Sequence, residues 1–485
     1  MSSTPTSAAP RALHLNAFIL STGHHEAAWR HPDVEPARAL TLQHYVDIAR
    51  TAERGLLDSV FFADGVALHG NVKHNTHSAF EPLTLLSALA ASTTHVGLIA
   101  TASTTYNHPY TLARAFASLD HLSGGRAGWN IVTSAGQDEA GNFGLKSRPD
   151  HEARYARATE FVQLAQALWD SFDDEAVIAD KASGIYADTN LIAPINHKGE
   201  HFEVRGPLNI RRPVQGYPLL VQAGSSESGK EYAARFAEAV FTAQQTLEEA
   251  QEFYADLKAR LAAHGRRPQD LLVLPGISPI IGRTEEEAKA KAAELNGLIN
   301  PAYGLAQLST MLDHELTEAD LDGPLPPVAA GTEGNQSRKQ LVLDLSAREG
   351  LTVRQLIERL AGGRGHRVFA GTAVQVADQI QGWFEEGAAD GFNIMPPTLP
   401  AGLDDFVEQV VPELQRRGLF RTEYTSSTLR EHYGLARPAN PNLSRQHQRQ
   451  HRQTDQDQTG RDHTDRDHTE QGQTEQDLTT KENAA

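Results

Sequence analysis

The sequence contains no cysteine. That excludes disulfides, thiolate-metal sites, cysteine-ligated iron–sulfur clusters and cysteine nucleophiles. It fits a reducing compartment, and a cytoplasmic location is expected. No stretch approaches the ~18 unbroken apolar residues of a membrane helix, so no membrane span is expected. The first residues, Met1 to Pro10, are rich in Ser, Thr, Ala and Pro. They lack a basic region followed by an apolar run, so residues 1–12 read as a flexible N-terminus and not as a signal peptide. Positive charge is scarce: 44 Lys and Arg stand against 62 Asp and Glu, for a formal net charge of -18. Such a surface repels phosphate backbones and anionic membranes, so no nucleic-acid partner is expected. Two motifs are also missing. No GxGxxG follows an apolar run, which argues against a Rossmann dinucleotide domain. No GxSxG nucleophile elbow occurs either.

What is present is ordinary globular material: 485 residues, 39% hydrophobic and 22% charged. From Leu13 to about Phe420, short apolar runs alternate with amphipathic stretches. The runs are Leu13–Leu20, Ser59–Asp64, Val96–Ser103, Gly128–Thr133, Leu219–Gly224, Ala239–Ala243, Leu272–Ile281 and Phe392–Met395. They are mostly continuously apolar, as strands of a parallel sheet covered by helices on both faces are. Between them, Thr41–Arg54, Pro82–Ser92, Leu112–Leu122, Glu152–Ser171, Glu227–Glu238, Leu247–His264 and Glu285–Leu295 show helical spacing. Thr284 before Glu285–Glu287 has the form of an N-cap, and Pro109 suits a first helical position. Eight strands with helices between them predict an α/β fold, a closed (β/α)8 TIM barrel with insertions. The rival is an open doubly wound sheet.

Three stretches break the repeat. Residues 173–218 are turn-rich, with a hairpin expected at His197–Val204. Residues 300–350 are a Gly/Pro-rich insertion and a candidate lid. From Pro438 the chain is Gln/Asp/Arg/His/Thr-rich, and Thr454, Thr459, Thr464, Thr469, Thr474 and Thr479 recur every fifth residue. That period matches no helix or strand face, so 438–485 reads as a disordered low-complexity tail, with 13–437 as the barrel domain. The tail histidines His447, His451, His463 and His468 read as solvated.

The most informative stretch is Pro218–Tyr232, PLLVQAGSSESGKEY. A strand ends in Gly224, and a small polar turn with Ser225 and Ser226 leads into a helix. A helix start of that kind suits one terminal phosphate. Gly224, Gly229 and Lys230 have the Walker A spacing, but Glu231 stands where a hydroxyl should hold magnesium, which argues against an NTPase loop. Asn130 is polar inside the apolar strand GWNIVT, with Ser134 just after it. Either the core or a ligand must satisfy its amide. His151 and Tyr155 lie four apart on one face of a helix start. Asp64 closes SVFFAD, and Thr101–Tyr106 ends another strand. In a barrel such positions point into the mouth. His24, His25, Glu26 and His31 invite a metal reading. No HExxH-type spacing supports it, so no metal is expected and one or two mouth histidines are the reading preferred.

Taken in order, NAFILSTGHHEAAWRHP, FFAD, TASTTYNHPY, GWNIVTS, NFGL, HEARY, VQAGSSESGKEYAARFAEAVF, GFNIMPP and VVPELQRRGLFRTEY resemble one family. It is the nitrilotriacetate, EDTA and dibenzothiophene-sulfone monooxygenases of the bacterial-luciferase-like superfamily. The resemblance spans roughly Leu13 to Tyr433. It implies a TIM barrel with FMN at its C-terminal mouth, used in reduced form with O2 as co-substrate. It implies a small-molecule substrate and a separate NAD(P)H:flavin reductase as partner. A homo-oligomer, dimer or tetramer, is expected on the same ground. Asp64 and Thr101 or Thr104 match residues near the flavin. His151, Tyr155 and Ser226 match residues that hold FMN, mainly at its phosphate end, where Ser225 also falls; Asn130 and Ser134 are further candidates for contact with the cofactor. Asn130 and one of His24 and His25 are the expected catalytic residues, a histidine with a pKa near working pH being a candidate general base. Ala135 stands where some relatives carry a bulkier polar residue, so the substrate pocket does not transfer. The implied reaction is hydroxylation or oxidative C–N or C–S cleavage. The alternatives are a deazaflavin-dependent oxidoreductase of the same fold and a flavin-independent barrel hydrolase or lyase.

Overall fold

Every one of the apolar runs becomes a strand. In the computed structural model these are β1 (His14–Ile19), β2 (Ser59–Phe62), β3 (Gly97–Ser103), β4 (Ala127–Val132), β5 (Leu219–Gln222), β6 (Ala239–Thr242) and β7 (Leu272–Ile281), with β8 (Arg367–Gly371) and β9 (Gly391–Ile394) completing the sheet. The structure describes residues 11–68, 72–74, 76, 80–134, 136–147, 149–328 and 336–442. Met1–Pro10, Ala135 and the threonine-periodic segment from 443, with its histidines, lie outside the described residues.

The pairings β1–β2, β2–β3, β3–β4, β4–β5, β5–β6, β6–β7, β7–β9 and β9–β1 are all parallel. They close an eight-strand barrel, and the open-sheet alternative falls. β8 is a strand the apolar pattern does not show. It pairs only with the far half of β7, from Ile277↔Arg367 to Ile281↔Gly371. Four of its five residues are half-buried, so it lacks a continuous apolar signature.

Outward-facing Leu15, Ala17 and Ile19 pack with the helices in the main core. Inward-facing Phe61, Ile99, Val221, Phe241 and Leu274 fill the barrel, and Leu429, Tyr433 and Leu435 of the C-terminal segment join them. Local chemistry sets the helix starts. Thr41 caps Leu42–Arg54 through His44 N, and Thr284 caps Glu285–Gly297 through Glu287 N. Pro109 is the first residue of Pro109–Ser123.

Residues 173–218 carry two antiparallel hairpins, one at the expected His197–Lys198 and Glu203–Val204. The 300–350 insertion is more ordered than its Gly/Pro content suggests. Helices Pro301–Leu312 and Gln336–Glu349, with Val353–Ala361 after them, enclose an apolar cluster that includes Leu305, Leu308, Leu312, Val342 and Leu356. The packed chain runs past 437: Pro438 O accepts from Arg212 Nη2 at 2.8 Å. Among the described residues, no helix is long and apolar enough to cross a membrane.

Candidate active site

Barrel geometry places the ends of β1 to β7 and β9 around one mouth. On β3 and β4 the register sets Thr101 beside Asn130. Both are buried, and Asn130 Nδ2 donates to Thr101 Oγ1 at 2.9 Å. Asn130 Oδ1 is buried with no partner. A buried amide oxygen is normally satisfied, so this one is available to a ligand. Thr104 is different: its hydroxyl donates to Val132 O at 3.2 Å and serves the fold. Ser134 donates to Ser103 Oγ at 2.9 Å from a left-handed backbone, φ 43°. A non-glycine residue there is strained. Arg154, which the sequence reading passed over inside HEARY, holds that turn by donating from Nη1 to Ser134 O at 2.8 Å.

At the end of β5, Ser226 caps the helix Glu227–Phe236 and accepts from Gly229 N at 3.1 Å. Tyr155, near the start of helix His151–Trp169, hydrogen-bonds Ser226, and burial pushes its phenol pKa up. The His151 and Tyr155 rings lie 4.8 Å apart. Two helix N-termini therefore meet through the Tyr155–Ser226 bond, and Ser225 is exposed beside them. Gly229 is favoured by close approach. A Cβ on it would sit 3.1 Å from Ser226 Oγ and 3.2 Å from Tyr155 OH. Lys230 turns away to Glu227 and Asp256, 2.5 Å from each. It is not a phosphate ligand here.

The opposite rim carries the loop after β1. His24 is fully buried and its Nε2 donates to Phe18 O at 2.9 Å, which leaves Nδ1 without a partner. Burial pulls its pKa down to about 3. The expected pKa near working pH does not hold for His24: it is a neutral hydrogen-bond acceptor. Both ring nitrogens of His25 are engaged, Nε2 with Asn296 Oδ1 at 3.1 Å and Nδ1 with Ala27 N at 3.2 Å. Between the two histidines, only His24 offers a free atom. His31 lies 3.9 Å from Asp33 and 4.0 Å from Glu294, away from His24. Among the described residues, no group of three or more His, Cys, Asp or Glu converges as a metal site.

Asp64 follows β2 on the open mouth. The surrounding protein raises its carboxyl to about 6, with Glu81 and Glu139 adding repulsion. Phe18 and Phe241, 4.9 Å apart, form an aromatic wall, and His366 stacks on Phe241 at 4.7 Å. His366 and the nearby Arg364 stand in GGRGHR, a motif the sequence reading missed. Only its glycine density could have marked it. A cavity of about 230 Å³ opens between the β1 loop and the helical insertion, lined by Glu26, Trp29, Arg30, Asn300 and Tyr303 among others. It shares no lining residue with the Thr101–Asn130 pair.

Comparison with known proteins follows the same geometry. The luciferase-like monooxygenase family matches residues 17–390. Nitrilotriacetate monooxygenase component A of Aminobacter aminovorans is 51% identical over 445 residues, covering 89% of this chain and 98% of that protein. N-acetyl-S-(2-succino)cysteine monooxygenase of Bacillus subtilis (strain 168) is 49% identical over 432 residues, with 89% and 98% covered. The solved EDTA monooxygenase of Chelativorans sp. BNC1 aligns with a TM-score of 0.76 at 39% identity, covering 88% of this chain and 99% of that one.

Proposed function

The chain belongs to the luciferase-like monooxygenase family, and from that premise we propose that it takes reduced FMN and O2 at the barrel mouth and oxidises a small organic substrate. The reaction is hydroxylation or oxidative cleavage of a C–N or C–S bond. The observation that carries the reading is the unpartnered Asn130 Oδ1. It lies on the strand beside β5, whose end bears the Tyr155–Ser226 cradle.

The residues fit FMN. Free N–H groups at the start of Glu227–Phe236, with the Ser226, Ser225, Tyr155 and His151 side chains, would hold its phosphate. Thr101, Asn130, Ser134 and Asp64 would face the rest of the molecule, with Thr104 supporting the strand pair. Bound reduced flavin supplies the electrons that activate oxygen. The chain's own residues supply position and protonation state. Asn130 is fixed by Thr101 and presents an acceptor without reorganisation. His24, neutral throughout the working range, presents a second acceptor at Nδ1. Asp64, with its raised pKa, holds or releases a proton near neutrality. His25 braces the loop that carries His24.

Reduced flavin comes in this reading from a separate NAD(P)H:flavin reductase, consistent with a chain that has no GxGxxG after any strand. The enzyme works in the cytoplasm as a homo-oligomer, a dimer or a tetramer. The test is anaerobic titration of the purified protein with oxidised and with reduced FMN, followed by ¹⁸O2 and candidate substrates. Tighter binding of the reduced form and ¹⁸O in the product are expected. No binding of either flavin form would return the chain to a flavin-independent hydrolase or lyase. Turnover without oxygen would point to a deazaflavin enzyme.

A further inference from the structure

Arg364 stands in the loop between helix Val353–Ala361 and β8, flanked by Gly362, Gly363 and Gly365. Its backbone is left-handed, φ 50°. In a loop so rich in glycine, the one position that holds an arginine is one where glycine would be free of strain. Such strain persists where the surroundings over-determine it, and it marks functional sites. The surroundings here do so. Arg364 N donates to Leu360 O at 2.6 Å and His366 N to Gly363 O at 2.8 Å. Gln245 Nε2 donates to Gly365 O, and Arg367 Nη1 donates to Gln245 O, at 2.7 and 2.8 Å. The loop is pinned from both sides while Arg364 keeps its strained backbone.

Among the described residues, the Arg364 guanidinium has no hydrogen-bond or ion-pair partner, and its Nε is buried. Glu26 lies within its electrostatic reach but beyond ion-pair distance. Two further buried polar atoms on neighbouring elements lack partners. One is Nδ1 of the fully buried His24, which feels the Arg364 charge. The other is Oγ of Ser278, also fully buried. Ser278 shares a face of β7 with Gly276, and a Cβ on Gly276 would come within 2.5 Å of His366 Nδ1. A guanidinium and an imidazole acceptor, both short of partners, interact between the loop after β1 and the loop before β8, and the unpartnered Ser278 hydroxyl stands on β7, the strand that β8 pairs with. In the closed strand order β9–β1 lies across the barrel from β4–β5, where the phosphate cradle is.

We propose that Arg364 is the anion receptor for the substrate, so that this site takes a molecule bearing a carboxylate, with His24 and Ser278 ordering the groups next to it. This rests on the flavin reading above, because it sets the substrate's charged end opposite the flavin's. The planar fork of an arginine matches a carboxylate with two parallel hydrogen bonds. On a chain of net charge -18, an unpaired cation at the mouth also selects anions against a repelling surface.

The test is calorimetric titration of the purified full chain, with and without FMN, using glutarate, citrate, methylphosphonate and the uncharged trimethyl citrate. Glutarate or citrate should bind and the ester should not. Arg364→Gln should weaken the acid at least tenfold, and Arg364→Lys should retain part of the binding. FMN affinity should stay within twofold. Arg364→Gly guards against a folding artefact: it relieves the backbone, so Tm should rise while anion binding is lost. Equal binding by wild type and Arg364→Gln, equal binding of acid and ester, or no binding of any carboxylate would overturn the proposal. Preference for methylphosphonate over both carboxylates would overturn the carboxylate assignment. If FMN fails to bind while citrate titrates as expected, the flavin reading falls and the anion site stands.

Discussion

Asn130 and Thr101 lie side by side on adjacent strands, and the 2.9 Å bond from Asn130 Nδ2 to Thr101 Oγ1 fixes which end of the amide is left over. The free end is Oδ1, a buried acceptor already in place. Fixed dipoles of this kind act on reacting groups with no cost of reorganisation. Asn130→Ala should therefore lower product formation by roughly 10²-fold, the usual size of a lost preorganised hydrogen bond. The FMN dissociation constant should move far less. Thr101→Val should give a smaller loss in the same direction, because Asn130 stays but is free to turn. Parallel measurement of turnover and FMN binding separates the two effects. A large loss of FMN affinity would make Asn130 a binding residue first.

The Tyr155–Ser226 cradle makes a different demand. If it serves a phosphate, its loss should be felt by FMN and not by riboflavin. Tyr155→Phe and Ser226→Ala should each weaken FMN binding by about tenfold or more, since a hydrogen bond to a charged group contributes ~1.5–3 kcal/mol and tenfold is ~1.4 kcal/mol. Fluorescence titration with both flavins reads this directly. Equal losses for FMN and riboflavin would show that the cradle is only a packed helix start.

The barrel was legible because its strands are buried on both faces, so that β3 reads GLIATAS and β7 reads LVLPGISPII with every residue covered. Helix ends were legible where a cap residue carries a local mechanism, as at Thr284. β8 was not, because it is half-buried and pairs with part of a single strand. Arg364 and His366 escaped for a related reason: Arg364 is marked by a strained backbone and an unpartnered Nε, and His366 by its stacking on Phe241 125 positions earlier in the chain, and none of these is written in local composition. The choice between His24 and His25 turned on Asn296, 271 residues away from His25. No local pattern could contain that contact. The 300–350 insertion read as loop from its Gly and Pro, although Leu305, Leu308 and Leu312 at helical spacing carry its apolar cluster.

Asp64 should write itself into the pH profile. Its carboxyl is raised to about 6 by the neighbouring protein, which takes away part of its hydration although the residue is exposed at the mouth, with Glu81 and Glu139 reinforcing the shift. Between its ordinary carboxylate range and pH 6 it is therefore still largely protonated in the folded protein. Any step that needs one form should show a limb near pH 6 in kcat/KM. Asp64→Asn should abolish that limb and leave a flat acid arm. Persistence of the limb in the variant would assign it elsewhere.

His24 should appear in stability instead. Its folded-state pKa is lowered, from 6.5 to about 3, chiefly by burial. The neutral form is the one the fold accepts, so the unfolded chain takes up a proton first as pH falls. Stability is full above pH 6.5 and drains away below it, at up to ~1.4 kcal/mol per pH unit for one such group. His24→Gln keeps a neutral polar side chain and should make the decline of Tm below pH 6.5 shallower. Other buried histidines, His25, His44 and His432, are shifted the same way, so part of the slope should remain. An unchanged slope would mean that His24 reaches solvent enough to protonate in place.

The far end of the barrel should respond to none of the reagents that probe the mouth. Leu429 is fully buried and pushes its Cδ atoms against Gly97 and Gly128, whose missing side chains make the room. Tyr433 donates from its hydroxyl to Asn16 Oδ1 at 2.6 Å, and Ser59 donates to the same oxygen at 2.9 Å. The C-terminal segment thus stoppers the end at which the strands begin, where barrel residues contribute to stability and not to chemistry. Leu429→Ala should leave a cavity and cost ~2–5 kcal/mol. Tyr433→Phe should cost about 1 kcal/mol for the lost hydrogen bond. Both variants should melt earlier, yet bind FMN as the wild type does at temperatures where they remain folded. If Leu429→Ala instead loosened FMN binding with Tm unchanged, the two ends of the barrel would be coupled through its interior. The separation of stabilising base from binding mouth would then fail for this chain.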